Sequence, residues 1–232
     1  MIDVCYCGNK RIFPGLLLSV MSLAEHTAEP LRVLILSMDL HGQDPAFIPF
    51  SKNQMNILNE VLRKKNAQSC AQLLDLTEQY TASLADGKNR KAAIYTPYAM
   101  LRLFLDELPG MPDKIIYLDI DTMCVSDIAQ LYDIDISACE YAAALDYMGK
   151  FWINKHYCKC RELICVKKMA MPDQSALHRC ATSRMELPMR FNEQRTIKPD
   201  TVIKHFNKGI KWYLFIPRVY NYKQWQRDKV QN

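Results

Sequence analysis

Leu31 to Asp39, LRVLILSMD, is the stretch that most narrows what this chain can fold into. Its apolar residues are nearly continuous, as in a strand covered on both faces within a parallel sheet. Helical spacing follows from Ser51 to Lys65, where Met55, Ile57, Leu58, Val61 and Leu62 supply one buried stripe. Met1 to Cys7 reads as a short strand and Leu16 to His26 as an apolar-faced helix. AQLLDLT, Ala71 to Thr77, reads as a strand, and Tyr98 to Leu108 as a helix stopped by PGMPD, Pro109 to Asp113. KIIYLDID, Lys114 to Asp121, is the next strand. Strand and helix thus alternate over the first half of the chain, a doubly wound pattern that predicts an α/β fold.

Beyond Asp135 the pattern is weaker. CEYAAALDYM, Cys139 to Met148, fits a strand and turn; Cys158 to Met169 fits a helix broken by Met171-Pro172. TVIKHF, within residues 196–206, is the last expected strand. The chain has 232 residues, 49% apolar and 24% charged, enough for one substantial core. Its net charge of +5 is concentrated late: Arg195 to Asn232 holds nine Lys/Arg against two Asp. Trp212, Tyr213, Phe215, Ile216, Tyr220, Tyr222 and Trp225 interleave with those cations. Such an end either is solvated and packs its rings on the core, or meets an anionic surface with its rings in the interface. No RRM, helix-turn-helix or zinc-finger pattern accompanies it, so nucleic acid is not an expected partner.

Nine cysteines at irregular spacing do not form a disulfide framework. Cys5 and Cys7 share one face of the first strand, and Cys158, Cys160 and Cys165 lack the second pair that a structural zinc site needs. No secretory leader and no apolar run long enough to span a bilayer is read in the sequence. Free thiols in a reducing cytosol are the expectation.

Asp119 and Asp121 carry the chemistry. In an alternating strand they point to the same side, where like charges repel unless a cation, a proton or solvent relieves them. They either bind Mg²⁺ or Mn²⁺, with open positions for phosphate oxygens, or merely end a strand at the surface. In doubly wound sheets ligands bind beyond the carboxyl ends of strands, which favours the first reading. His205 is a third candidate ligand, and a mixed carboxylate/imidazole set suits Mn²⁺ somewhat better than Mg²⁺. Lys208 and Lys211 follow and can balance phosphate charge, though lysines there are ordinarily solvated. In MPDQSAL, Met171 to Leu177, Asp173 suits a helix N-cap and Gln174 is the polar group beside it. In CGNKR, Cys7 to Arg11, Gly8 and Asn9 permit unusual backbone angles. The chain lacks GxGxxG, the P-loop, a nucleophile elbow and HExxH.

Taken together these pieces resemble the family 8 glycosyltransferases, the retaining, nucleotide-sugar-dependent enzymes that include glycogenin and bacterial lipopolysaccharide galactosyl- and glucosyltransferases. The resemblance rests on VCYCGNKRIFPGLLLSVMSL, YTPYAMLRLFLDELPG, KIIYLDID, MPDQSAL, FNEQR and VIKHFNKGIKW, in that order over most of the chain. It implies a GT-A fold, a Rossmann-like mixed sheet flanked by helices. A nucleotide-sugar half over about residues 1–125 merges with an acceptor half over about 126–206 in one domain, followed by a basic aromatic tail, 207–232. Asp119, Asp121 and His205 match the family's metal ligands, which hold Mn²⁺, with Mg²⁺ as the alternative, against the donor diphosphate. Gly8, Asn9 and Lys10 match the uridine loop, where the family more often has acidic residues. Tyr98 and Arg102 match the helix approaching the nucleotide and the first aspartate. Asp173 and Gln174 match the donor-sugar pair and the catalytic position, and Lys211, with Lys208 beside it, the diphosphate contact.

The implied activity is Mn²⁺-dependent, retaining transfer of glucose or galactose from UDP-glucose or UDP-galactose. The acceptor is a saccharide of a bacterial surface polysaccharide, as in lipopolysaccharide biosynthesis. The implied location is cytoplasmic, with peripheral contact at the inner face of the membrane. Two departures stand out. The glycine of the family's HFxGxxKPW pattern is Lys208, with Gly209 next, and its Pro-Trp pair becomes Trp212-Tyr213. The FN[AS]GV-like strand between the DxD and DQ motifs is missing around Phe151 to Cys160. Either it is deleted, leaving a catalytically impaired nucleotide-sugar-binding relative, or a disordered lid is missing from this sequence and activity is intact.

Overall fold

A computed structural model describes residues 1–84, 96–144, 183–207 and 212–214. The first half builds a four-stranded parallel sheet in the order β3-β2-β1-β4. β1 is Ile2–Cys7 and α1 Phe13–His26. β2 is Leu31–Ser37, α2 Lys52–Lys65 and β3 Cys70–Asp75. After α3, Thr77–Ser83, and a 3₁₀ helix at Pro97–Glu107, the chain adds β4, Ile116–Tyr117, on the other side of β1. That reversal of strand order makes the crevice beyond β1 and β4 the switch point, where such sheets bind ligands.

Each element has a local cause. β2 lies between β1 and β3, in register Val4↔Val33↔Ala71, and is almost wholly buried, as its unbroken apolar run requires. Ser51 starts α2 with a reciprocal capping box: its hydroxyl accepts from the Gln54 N–H, and the Gln54 side chain accepts from the Ser51 N–H. Leu58 and Leu62 then face the sheet with no exposure. Pro97 opens the 3₁₀ helix, and Gly110, at φ 75°, turns the chain just past its end. Leu16, Val20 and Leu23 of α1 pack with Val4, Tyr6, Val33 and Ile35 in one core, while Tyr98, Leu101 and Phe104 pack with Leu36 and Met38 in the other.

The described residues of the second half form short strand pairs. β5, Thr122–Cys124, runs antiparallel to β8, Ile203–His205; β6, Tyr141–Ala144, runs parallel to β7, Arg184–Leu187. Between them lie the single turn α4, Ala129–Tyr132, and a 3₁₀ turn at Met189–Phe191. Trp212 is fully buried, with its ring centroid 4.7 Å from that of Phe206, whereas Leu214 is exposed.

One expectation is corrected. KIIYLDID is not a strand through Asp121: strand pairing with β1 covers Ile116 and Tyr117, one further bond runs from the Leu118 N–H to the Cys5 carbonyl at 3.0 Å, and both aspartates lie in the non-strand segment that follows. The turn forms because Thr122 Oγ1 donates to the Asp119 carbonyl at 2.7 Å and the Phe206 N–H to the Asp121 carbonyl at 2.9 Å. Strand alternation therefore does not set the direction of the two carboxylates. β5, β7, α3 and α4 have no counterpart among the elements expected from the sequence. The helix expected at Cys158 to Met169 lies outside the described residues.

Candidate metal and nucleotide-sugar site

The β5–β8 register places Thr122 opposite His205. This brings the imidazole to the aspartate turn: His205 Nε2 lies 3.1 Å from Asp121 Oδ1 and 4.0 Å from Asp119 Oδ2. One ligand atom from each of the three residues lies within 4.8 Å of the others, and among the described residues this is the group able to hold a metal ion. Neighbouring ligands on an octahedral ion with bonds of about 2.1 Å sit about 3 Å apart, so the closest edge suits a small divalent cation. An imidazole lone pair and a carboxylate oxygen at that distance need positive charge between them, from a proton or a metal. Two carboxylate oxygens and one imidazole nitrogen fit Mn²⁺ or Mg²⁺ chemically.

Asp119 is oriented from behind. Its Oδ1 accepts from Arg102 Nη2 at 3.1 Å and from the Tyr117 hydroxyl at 3.1 Å, so Oδ2 is the oxygen turned toward His205. The Arg102 guanidinium sits 3.8 Å from the centre of the Tyr117 ring. Burial alone pushes the Asp119 carboxyl up, but Arg102, His205 and the two hydrogen bonds outweigh it and hold the group below its usual value. Burial also pushes the Tyr117 phenol up despite Arg102, which keeps it a donor.

The first loop borders the same crevice. Gly8 N–H donates to the Leu36 carbonyl at 3.0 Å, and a side chain at Gly8 would strike Ile12, so this loop lies close against the helix that follows. Asn9 is buried, accepts from the Arg11 N–H at 3.1 Å and donates to the Ala46 carbonyl at 3.4 Å. The Lys10 side chain is exposed. Tyr98 is 1% exposed, and its hydroxyl donates to the Met38 carbonyl at 3.0 Å. Burial pushes its phenol up to about 12. Tyr98 thus anchors the 3₁₀ helix, while Arg102, four residues on, reaches Asp119.

Asp119, Asp121, His205 and Arg102 come together. Asp173, Gln174, Lys208 and Lys211 lie outside the described residues. Tyr117, Asn192 and Thr122, which support the aspartates and the imidazole, are not among the candidates that the sequence suggests. No local pattern marks them, because each acts across a turn or between strands.

The comparisons with known proteins decide the family. The model for "Glycosyl transferase family 8" matches residues 3–230. The chain belongs to that family. That family is one of glycosyltransferases. A UDP-glucose:glycoprotein glucosyltransferase of Drosophila melanogaster is 29% identical over 143 residues, which make up 61% of this chain. The matched region is 8% of that protein's length, so this family 8 chain corresponds to a small part of it. The galactosyltransferase LgtC, solved with donor and acceptor sugar analogues, superposes with a TM-score of 0.62 at 14% identity, covering 90% of this chain and 88% of LgtC. The glycosyltransferase GlyE of Streptococcus pneumoniae superposes at 0.57 with 15% identity, covering 90% of this chain and 56% of its own. The fold is GT-A: a parallel Rossmann-like sheet flanked by helices, joined to a smaller mixed region. Among the described residues no helix is long and apolar enough to cross a membrane.

Proposed function

We propose that this family 8 member transfers glucose or galactose from a UDP-sugar to a saccharide hydroxyl with retention of anomeric configuration. The observation that carries the reading is the convergence of Asp119, Asp121 and His205 beyond the switch point of a nucleotide-binding sheet. Asp119, Asp121 and His205 would hold Mn²⁺, or Mg²⁺. That ion supplies positive charge to the diphosphate as it departs. Arg102 fixes Asp119 and adds a second cation to the same wall of the crevice. Gly8, Asn9 and Lys10 border the uridine end, with Tyr98 as the anchor beneath. Lys208 and Lys211 are assigned to the diphosphate, and Asp173 and Gln174 to the donor sugar.

In the transfer, the bond from the anomeric carbon to the diphosphate oxygen breaks and a bond to the acceptor oxygen forms on the same face. The acceptor proton passes to the departing phosphate, so charge and atoms balance without a separate base. An amide at Gln174 is a poor nucleophile, so a covalent sugar–enzyme intermediate, the competing route, would have to form on the Asp173 carboxylate. The two hexoses are chosen because the similar proteins are named a glucosyltransferase and a galactosyltransferase. We assign the acceptor to a bacterial surface polysaccharide precursor, at the cytoplasmic face of the membrane, with residues 207–232 as a basic aromatic tail able to meet anionic lipid. The single catalytic domain is assigned to residues 1–206, with the Trp212 ring of the following segment packed into it against Phe206 and Gly15.

The test is turnover. The chain is incubated with UDP-glucose or UDP-galactose, Mn²⁺ and a panel of saccharides, and released UDP and product configuration are measured. Mn²⁺-dependent release from one donor, with an α-linked product, supports the proposal. Cleavage of neither donor under any acceptor, with UDP still bound, favours the impaired relative.

A further inference from the structure

His205 is held on both edges of its ring. Its Nδ1 lies 2.8 Å from Asn192 Oδ1. An amide oxygen only accepts, so Nδ1 carries a hydrogen, and Nε2 faces the Asp121 and Asp119 carboxylates, where it holds either a proton or, once that proton leaves, a cation. Neutral imidazole in water prefers the opposite tautomer, with hydrogen on Nε2, which would aim an N–H at the place where a cation belongs.

Asn192 is itself registered to β8. It closes the Met189–Phe191 turn, donating its N–H to the Met189 carbonyl at 2.9 Å. The next residue, Glu193, donates to the Ile203 carbonyl at 3.0 Å and accepts from the His205 N–H at 3.0 Å. Lys204, buried, bridges the Glu193 and His205 carbonyls at 3.2 and 3.1 Å. The buried Glu193 carboxylate accepts from the Arg195 N–H at 2.8 Å and pairs with Lys198 at 3.0 Å. The backbone on either side of the Asn192–His205 bond is therefore fixed, and the amide is set against one ring nitrogen.

We propose that Asn192 is a positioning residue of the metal centre: it selects the Nδ1–H tautomer of His205 and so presents Nε2 to the cation. The proposal rests on the reading of Asp119, Asp121 and His205 as ligands. Groups that orient a ligating histidine typically change metal affinity by about 10- to 100-fold.

Two measurements on the full chain test it. In nitrogen-15 NMR of the chain saturated with UDP and the diamagnetic ion Mg²⁺, the wild-type His205 is expected in the Nδ1–H form, with Nε2 unprotonated. In Asn192→Leu it is expected to move to the Nε2–H form. Calorimetric UDP titrations over a Mn²⁺ series then give the Mn²⁺ concentration for half-maximal UDP binding. Asn192→Leu should raise it about tenfold or more, and Asn192→Asp should keep it within a few-fold of wild type. The double variant Asn192→Leu/His205→Ala should lose no more than His205→Ala alone. An Nε2–H wild-type ring, which needs no variant, overturns the proposal. So does a wild-type Mn²⁺ dependence in Asn192→Leu when His205→Ala has lost it. UDP binding indifferent to Mn²⁺ in the wild-type chain overturns the ligand reading itself, and the proposal with it.

Discussion

Asp121 Oδ1 lies 3.1 Å from His205 Nε2 although 84 positions separate the two residues. The antiparallel pairing of Thr122 with His205 closes that separation, backed by the Phe206 N–H on the Asp121 carbonyl. The site is thus a property of one short strand pair, and small changes to that pair or its supports should be read at the site.

Tyr117→Phe removes one of the two donors on Asp119 Oδ1 and leaves the ring under Arg102. With only Arg102 holding that oxygen, the carboxylate can turn. The Mn²⁺ requirement for UDP binding is expected to rise by about tenfold, with a stability loss of about 1 kcal/mol. Calorimetry and urea denaturation check the two effects separately.

Ser22 ties α1 to the second half of the fold. Its hydroxyl donates to the Ser19 carbonyl at 2.7 Å and accepts from the Cys124 N–H at 2.9 Å. Ser22→Ala strands a buried backbone donor and should lower stability by about 1–3 kcal/mol. The urea midpoint should fall while the slope of the transition is unchanged.

Gly15 faces the Trp212 indole. A Cβ there would sit 2.5 Å from Trp212 Nε1, which is buried and has no hydrogen-bond partner among the described residues. The indole is rigid, so Gly15→Ala must displace it or the helix. A loss of about 1–3 kcal/mol is expected, with a red-shifted tryptophan emission as the indole meets water. Unchanged emission and an unchanged melting temperature would show that the indole accommodates the methyl group without moving.

Much of this is legible in the sequence, for physical reasons that differ by element. β2 can be read because a strand buried on both faces must be apolar throughout, and α2 because its stripe and its Ser51 cap agree. β7, RMEL, cannot: only Leu187 is well buried, and nothing in four residues of mixed character reports a parallel partner 43 positions back. The aspartate pair stands out from its place after an apolar strand. Its geometry does not, since the turn that sets it depends on Thr122 and on a strand from the far end of the chain. Asn192 stays hidden for the same reason. It works through a side chain brought beside it by the β8 pairing, and such a contact leaves no periodicity.

The central claim is that Asp119, Asp121 and His205 hold a divalent ion against a nucleotide diphosphate. Its most direct test is calorimetric titration of UDP into the full chain with Mn²⁺ and again with EDTA, in the wild type and in Asp121→Asn. The account requires binding in the wild type with Mn²⁺ that EDTA abolishes or weakens by about tenfold or more, and a comparable weakening in Asp121→Asn with Mn²⁺ present. Equal UDP affinity in all of these samples would contradict it, and the two aspartates would then be no more than a turn that follows a strand.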